Sequence, residues 1–200
     1  MLGTSKKIIV VIIASLFLLT ALPFIENAGI NVNPSGSKVD ALYYVPIYIN
    51  NVQQKSTPTP FDEMIVVNSN NYSSYENLNL SNVFFTYMNG SIVPSWLESG
   101  NFSTDTNSTY WLRINDSIAP GNVLEIKMNF LPVGEIAFNN YSTGEAPYFS
   151  SSYGLYDDGS HVFNMYDNFS GTTLKGSIWN LTASATSYIS VDNGITFGGS

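Results

Sequence analysis

Leu124, Ile126, Met128 and Phe130 alternate with Glu125, Lys127 and Asn129, so VLEIKMNF reads as a strand with one face buried and the other wet. The same period runs through STYWLRIN. Tyr110, Leu112 and Ile114 share one face, and Thr109, Trp111 and Arg113 share the other. ALYYVPIYIN, EMIVVN and VFFTYM are short, rich in β-branched and aromatic residues, and bounded by turn clusters, which predicts further strands. Asn89-Gly90 between VFFTYM and SIVPSWL predicts a two-residue hairpin, because both turn positions favour positive φ. Pro120-Gly121 is expected to join STYWLRIN to VLEIKMNF in the same manner, and Asp192-Asn193-Gly194 to join SYISV to ITF. No stretch after residue 28 keeps a 3.6-residue period over three turns. The fold expected is all-β, an antiparallel β-sandwich preceded by an N-terminal hydrophobic signal or anchor helix.

That helix is expected in residues 1–28. Lys6 and Lys7 precede an unbroken apolar or small run from Ile8 to Leu22, followed by Pro23, the order of a signal peptide. Cleavage after Ala28 would put Glu26 three residues before the cut, where a small residue is wanted, so an uncleaved membrane anchor is the competing expectation. Both place the rest of the chain outside the cytoplasm, secreted or held at the cell surface, because the lysines stay inside. Residues 29–40, GINVNPSGSKVD, read as a polar linker. Residues 41–149 make the sandwich, 150–160 a connector, and 161–200 a separate final segment.

Charge narrows the partners. Only 11% of residues are charged, the net charge is −8, and five Lys/Arg lie beyond residue 28, too few and too scattered for a phosphate-binding stripe. Nucleic acid is excluded on that ground. Acid would neutralise the carboxylates and leave few cations to repel one another, so the composition suits an acidic exterior. The chain has no cysteine, which removes disulfides, cysteine zinc sites and thiol nucleophiles together.

IVPSWLES, NFSTDTNST, YWLRIN and APGNVLEIKMNF, in that order, resemble the family known as domain of unknown function 2341 over roughly Ser81 to Phe130. The chain departs from that pattern where relatives finish the last strand with Tyr-Gly-Asn; MNFLPVGE stands instead. YDNFSGTTLKGSIW and SYISVDNGITF are similar to the opening strands of a concanavalin-A-like jelly roll, as in archaeal surface proteins of this kind. The resemblance implies that residues 161–200 begin a second sandwich that these 200 residues do not complete.

Nine Asn-X-Ser/Thr triplets occur, at Asn71, Asn79, Asn89, Asn101, Asn107, Asn115, Asn140, Asn168 and Asn180. Composition alone would give about five. With an export signal, these are expected N-glycosylation sites. Asp62-Glu63 and Asp157-Asp158 are adjacent pairs, which on a strand point to opposite faces and cannot work across a sugar as a glycosidase pair does. The two-Glu catalytic strand of jelly-roll glucanases is absent. Asp157, Asp158 and Asp167 offer oxygens to Ca²⁺, yet no spaced Asp loop is present and a solvated turn is expected. No cofactor and no catalytic residue are assigned. His161, the only histidine, is expected at a strand edge, and Trp96 in the core. Trp111 and Arg113 fall on the outer face or under a loop and are the candidate ligand contacts. The function expected is a surface glycoprotein in adhesion or carbohydrate binding, its partner an extracellular glycan or surface-layer protein, with the membrane reached through the N-terminal segment if uncleaved. The alternatives are the N-terminal part of a secreted glycoside hydrolase and a filament subunit that donates ALYYVPIYIN to a neighbour.

Overall fold

The computed structural model describes residues 10–11, 43–180 and 189–198. Within the expected leader, Val10–Val11 (β1) form a two-residue strand on the next one; the rest of residues 1–28 and the linker 29–40 lie outside the described residues. Among the described residues no helix is long and apolar enough to cross a membrane.

Two sheets carry the fold. The first runs β1, β2 (Tyr43–Asn50), β8 (Val123–Phe130), β4 (Val83–Tyr87), β5 (Ile92–Val93). The second runs β3 (Phe61–Val67), β7 (Ser108–Ile114), β6 (Ser95–Ser99), β9 (Thr143–Glu145). Among the described residues all pairings are antiparallel except β6 with β9. The expected antiparallel β-sheet architecture is present, and the alternation sets which face looks inward. Ile47, Ile49, Phe85, Ile126, Met128 and Phe130 of the first sheet meet Ile65, Leu97, Tyr110, Leu112 and Ile114 of the second in one buried cluster. Phe85 and Tyr110 touch edge to face across the sheets, ring centres 5.2 Å apart.

Three expectations about turns and strands change. Pro120-Gly121 does not close a hairpin: β7 and β8 lie in different sheets, and the turn carries the chain across the sandwich. Asn89-Gly90 does join β4 to β5, but as a three-residue loop in which Gly90 alone takes positive φ, +87°. SIVPSWL is two strands, because the chain leaves the first sheet after Val93 and enters the second at Ser95. Pro94 sits at that switch, where its lack of an N–H costs no ladder bond, and its carbonyl accepts from Arg113 N. Within ALYYVPIYIN, Tyr43–Asn50 forms β2 in the chain's own sheet, paired with β8 along its whole length.

The outer faces are covered as well. Phe84, fully buried on the outside of the first sheet, stacks on Tyr141 at 4.7 Å, and Ala137 and Phe138 of the same segment as Tyr141 are buried as well. The outer face of the second sheet is covered by residues 157–168, a strap containing the one-turn helix α1 (Gly159–Val162). Beyond the strap, β10 (Ile189–Val191) and β11 (Ile195–Phe197) form the expected hairpin around Asp192-Asn193-Gly194, with Asn193 and Gly194 both at positive φ.

Candidate functional site

Trp96 on β6 and Trp111 on β7 are cross-strand partners, so their rings lie side by side on the outer face of the second sheet. Trp96 therefore belongs to this face and not to the core. The period-2 rule forces the result, since its neighbours Ser95 and Leu97 are the buried ones. Arg113 follows two residues after Trp111, and Asp62 of β3 stands opposite it, 3.7 Å from the guanidinium. Burial raises Asp62 above the usual carboxylate range, against the lowering pull of Arg113.

The strap docks onto this surface through an aromatic residue and a set of acceptors. Phe163 meets Trp96 at 5.5 Å and Trp111 at 5.6 Å, edge to face in both cases, and Tyr166 stacks on Phe163 at 5.9 Å. Arg113 donates to the Val162 carbonyl at 2.6 Å and to Asn164 Oδ1 at 2.8 Å. Asp157 is the hub. Its Oδ1 accepts from Trp96 Nε1 (3.0 Å), Tyr166 Oη (2.7 Å) and Gly159 N (3.1 Å), and its Oδ2 from Asn168 Nδ2 (2.8 Å). Trp111 Nε1 donates to Glu98 Oε2 at 3.0 Å. Burial, then the Asp157 hydrogen bond and charge, push the Tyr166 hydroxyl far above the ordinary phenol value. Gly159 is required by contact alone: a Cβ there would overlap the Tyr166 ring. Both indole N–H groups and the guanidinium are thus satisfied by the chain itself, and a ligand reaching Trp111 or Arg113 has to displace Phe163 and Asn164.

His161 lies in α1, not at a strand edge, exposed and paired with Asp158. Asp157 and Asp158 do not act as a free pair, since the first is engaged by four donors. Asp167 accepts from Trp179 Nε1 and lies 3.1 Å from Lys175. Among the described residues no three acidic, histidine or cysteine side chains converge as a metal site would need.

A second feature lies inside the sandwich. Glu76, in the segment between β3 and β4, is 4% exposed, and neither carboxyl oxygen has a hydrogen-bond partner. The Tyr110 hydroxyl is buried and equally unpartnered. Burial pushes Glu76 up to about 8 against the lowering pull of the nearby Ser69 hydroxyl, which donates to Ser108 Oγ at 2.9 Å. Glu63, on the inner face of β3, is pushed up to about 7 by burial alone. Of the two glutamates, the sequence pointed to Glu63 only as the neighbour of Asp62 and did not single out Glu76, Phe163 or Tyr166. The run HVFNMYDNF was visibly aromatic, but nothing local said which surface it would meet.

None of the nine sequon asparagines lies in a strand. Asn71, Asn79, Asn89, Asn107, Asn115, Asn140 and Asn180 are exposed, while Asn101 and Asn168 are half-buried.

Fold and site together define an all-β domain whose second sheet carries a tryptophan–arginine face sealed by the chain's own strap. No family model matches the chain, and no solved structure matches it. A similar protein is "Uncharacterized protein 562" of Sulfolobus islandicus rod-shaped virus 1, 32% identical over 124 residues that cover 61% of this chain and 21% of the relative. The chain thus spans about a fifth of that protein's length. The resemblance to the unknown-function family and to a jelly-roll opening rests on motif order.

Proposed function

We propose that this chain is an exported, N-glycosylated surface protein of the β-sandwich class, working in adhesion or carbohydrate binding. One observation carries the reading: four sequon asparagines are chain neighbours of large apolar side chains left wholly or partly in solvent. The pairs are Leu78–Asn79, Met88–Asn89, Asn101–Phe102 and Trp179–Asn180, and the apolar members are 69%, 48%, 50% and 36% exposed. Asparagine favours turns on its own account, so loop placement alone decides nothing. Exposed Leu and Phe on a surface with so few charges are a solubility hazard. A glycan rooted at the neighbouring residue covers such a side chain with the apolar face of a sugar ring and adds hydroxyls around it.

The mass of the intact protein from its native source tests this. Masses above the polypeptide's, in steps of a repeated glycan, are expected; the bare polypeptide mass sinks the reading. Within the binding class, Trp111 and Arg113 are the ligand contacts, reached when the strap lifts. Glycan-array binding that is unchanged by Trp111→Ala removes them from that role.

A further inference from the structure

Asn168 differs from the other sequon asparagines in what its side chain already does. Its Nδ2 donates to Asp157 Oδ2 at 2.8 Å, its Oδ1 accepts from Ser170 N at 3.1 Å, and its carbonyl accepts from the Tyr153 hydroxyl. Gly154 lies beside the amide, where a Cβ would make an ordinary van der Waals contact with Nδ2 at 3.5 Å. The middle residue of the sequon, Phe169, is held at φ +54°, a left-handed conformation rare for a bulky side chain, and its ring stacks on Trp179. Among the described residues the only other sequon amide that donates is Asn140, and it does so to a backbone carbonyl at the exposed surface. Nδ2 is the atom to which a glycan is joined, and at Asn168 it already donates to a carboxylate in a half-buried setting beside the Gly154 backbone.

We propose that Asn168 is a latch that holds the strap on the Trp96–Trp111–Arg113 face, and that N-glycosylation of Asn168 and docking of the strap exclude each other. The proposal rests on the glycoprotein reading for its modification half; the latch half stands on the hydrogen bonds. Asp157 links the two, because the carboxylate that accepts from Asn168 also accepts from Trp96 and Tyr166. Loss of the Asn168 donor weakens the hub, and with it the grip of Phe163 on both tryptophans. A chain modified at Asn168 before it folds presents the aromatic–arginine face open, and a chain that folds first keeps the site bare.

The test joins site-by-site glycopeptide mass spectrometry on protein from the native source with protease protection of the strap in the full chain. Glycans at Asn71, Asn79, Asn89, Asn107, Asn115 and Asn140, and none at Asn168 in molecules whose strap is protected, are expected. Glycan at Asn168 on molecules with a protected strap overturns the exclusion. In unglycosylated chain, Asn168→Ala is expected to speed cleavage within 157–168 by about tenfold while the sandwich stays resistant. Ser170→Ala, which destroys the sequon but keeps the amide, is expected to leave cleavage unchanged. Equal cleavage of Asn168→Ala and wild type overturns the latch. If all nine sites are bare, the glycoprotein reading fails, and the Asn168→Ala comparison still decides the latch.

Discussion

Replacing Glu76 by Gln should make the stability of this protein markedly less sensitive to pH. Glu76 is buried with both oxygens unpartnered, and the groups facing it are hydroxyls, those of Ser69, Tyr72 and Tyr110, with no cation among them. The folded chain holds its proton up to about pH 8, whereas a solvated glutamate releases it near 4.5. Below pH 4.5 both folded and unfolded states are protonated and the group adds no pH dependence. Above it the unfolded chain ionises while the folded chain does not, so stability is lost steadily until the folded pKa near 8 is passed. At about 1.4 kcal/mol per pH unit the loss is on the order of 5 kcal/mol, a large share of the 5–15 kcal/mol that holds a typical domain together. Gln carries no proton to lose. Its amide leaves an N–H unsatisfied in the same place, at a cost of about 1–3 kcal/mol that does not vary with pH. The quantity to measure is therefore the difference between variant and wild type, by urea denaturation followed through tryptophan fluorescence at pH 4, 6 and 8. Glu76→Gln is expected to gain at least about 3 kcal/mol on wild type between pH 4 and pH 8. A difference constant to within about 0.5 kcal/mol would refute the reasoning, and would mean that water or a rearranged donor satisfies the ionised carboxyl.

Glu63, held up to about pH 7 by burial, acts in the same direction, so the wild-type chain should be more stable at pH 5 than at pH 8 by thermal melting; the reverse order counts against both glutamates. Gly159→Ala places a methyl group in the Tyr166 ring, and should release the strap, shift the Trp96 and Trp111 emission to longer wavelength and leave the sandwich folded. Arg113→Ala removes two hydrogen bonds to the strap and the Asp62 pair, and should lower stability by about 1–3 kcal/mol with faster cleavage confined to residues 157–168. Phe85→Ala opens a void where the two sheets meet and should cost about 3–5 kcal/mol by denaturant titration, with no selective effect on the strap.

The strands and their faces could be read from single residues, because a strand's side chains alternate with a period that any eight-residue stretch displays. Leu124 to Phe130 and Tyr110 to Ile114 point where their alternation said they would, and Trp111 and Arg113 were placed on the outer face for the same reason. Trp96 lies one position away from the buried Leu97, so the same rule placed it outside once its strand was seen to begin after Pro94. The residues that enclose the site were not legible in this way. Phe163 stands 52 positions from Trp111 and 67 from Trp96 in the chain, and contact between them depends on where the intervening strands and turns deliver the segment.

What the sequence determined by itself is local: which stretches are strands, which of their faces is apolar, where a glycine or asparagine can turn the chain, and which asparagines carry a glycosylation motif. The tertiary structure decided the rest. Pro120-Gly121 has the composition of a hairpin, yet it crosses between sheets, because pairing partners are chosen by the whole sandwich and not by the turn. Glu76 is polar in any sequence reading and becomes buried and unpartnered only when the Ser69–Tyr72 segment and Tyr110 of β7 meet around it. Asn168 has the same triplet as the other sequons, and only the docked strap sets it against Asp157. Alternation and turn chemistry act over a few residues, whereas burial, pairing and enclosure depend on groups that meet only after the chain has closed on itself.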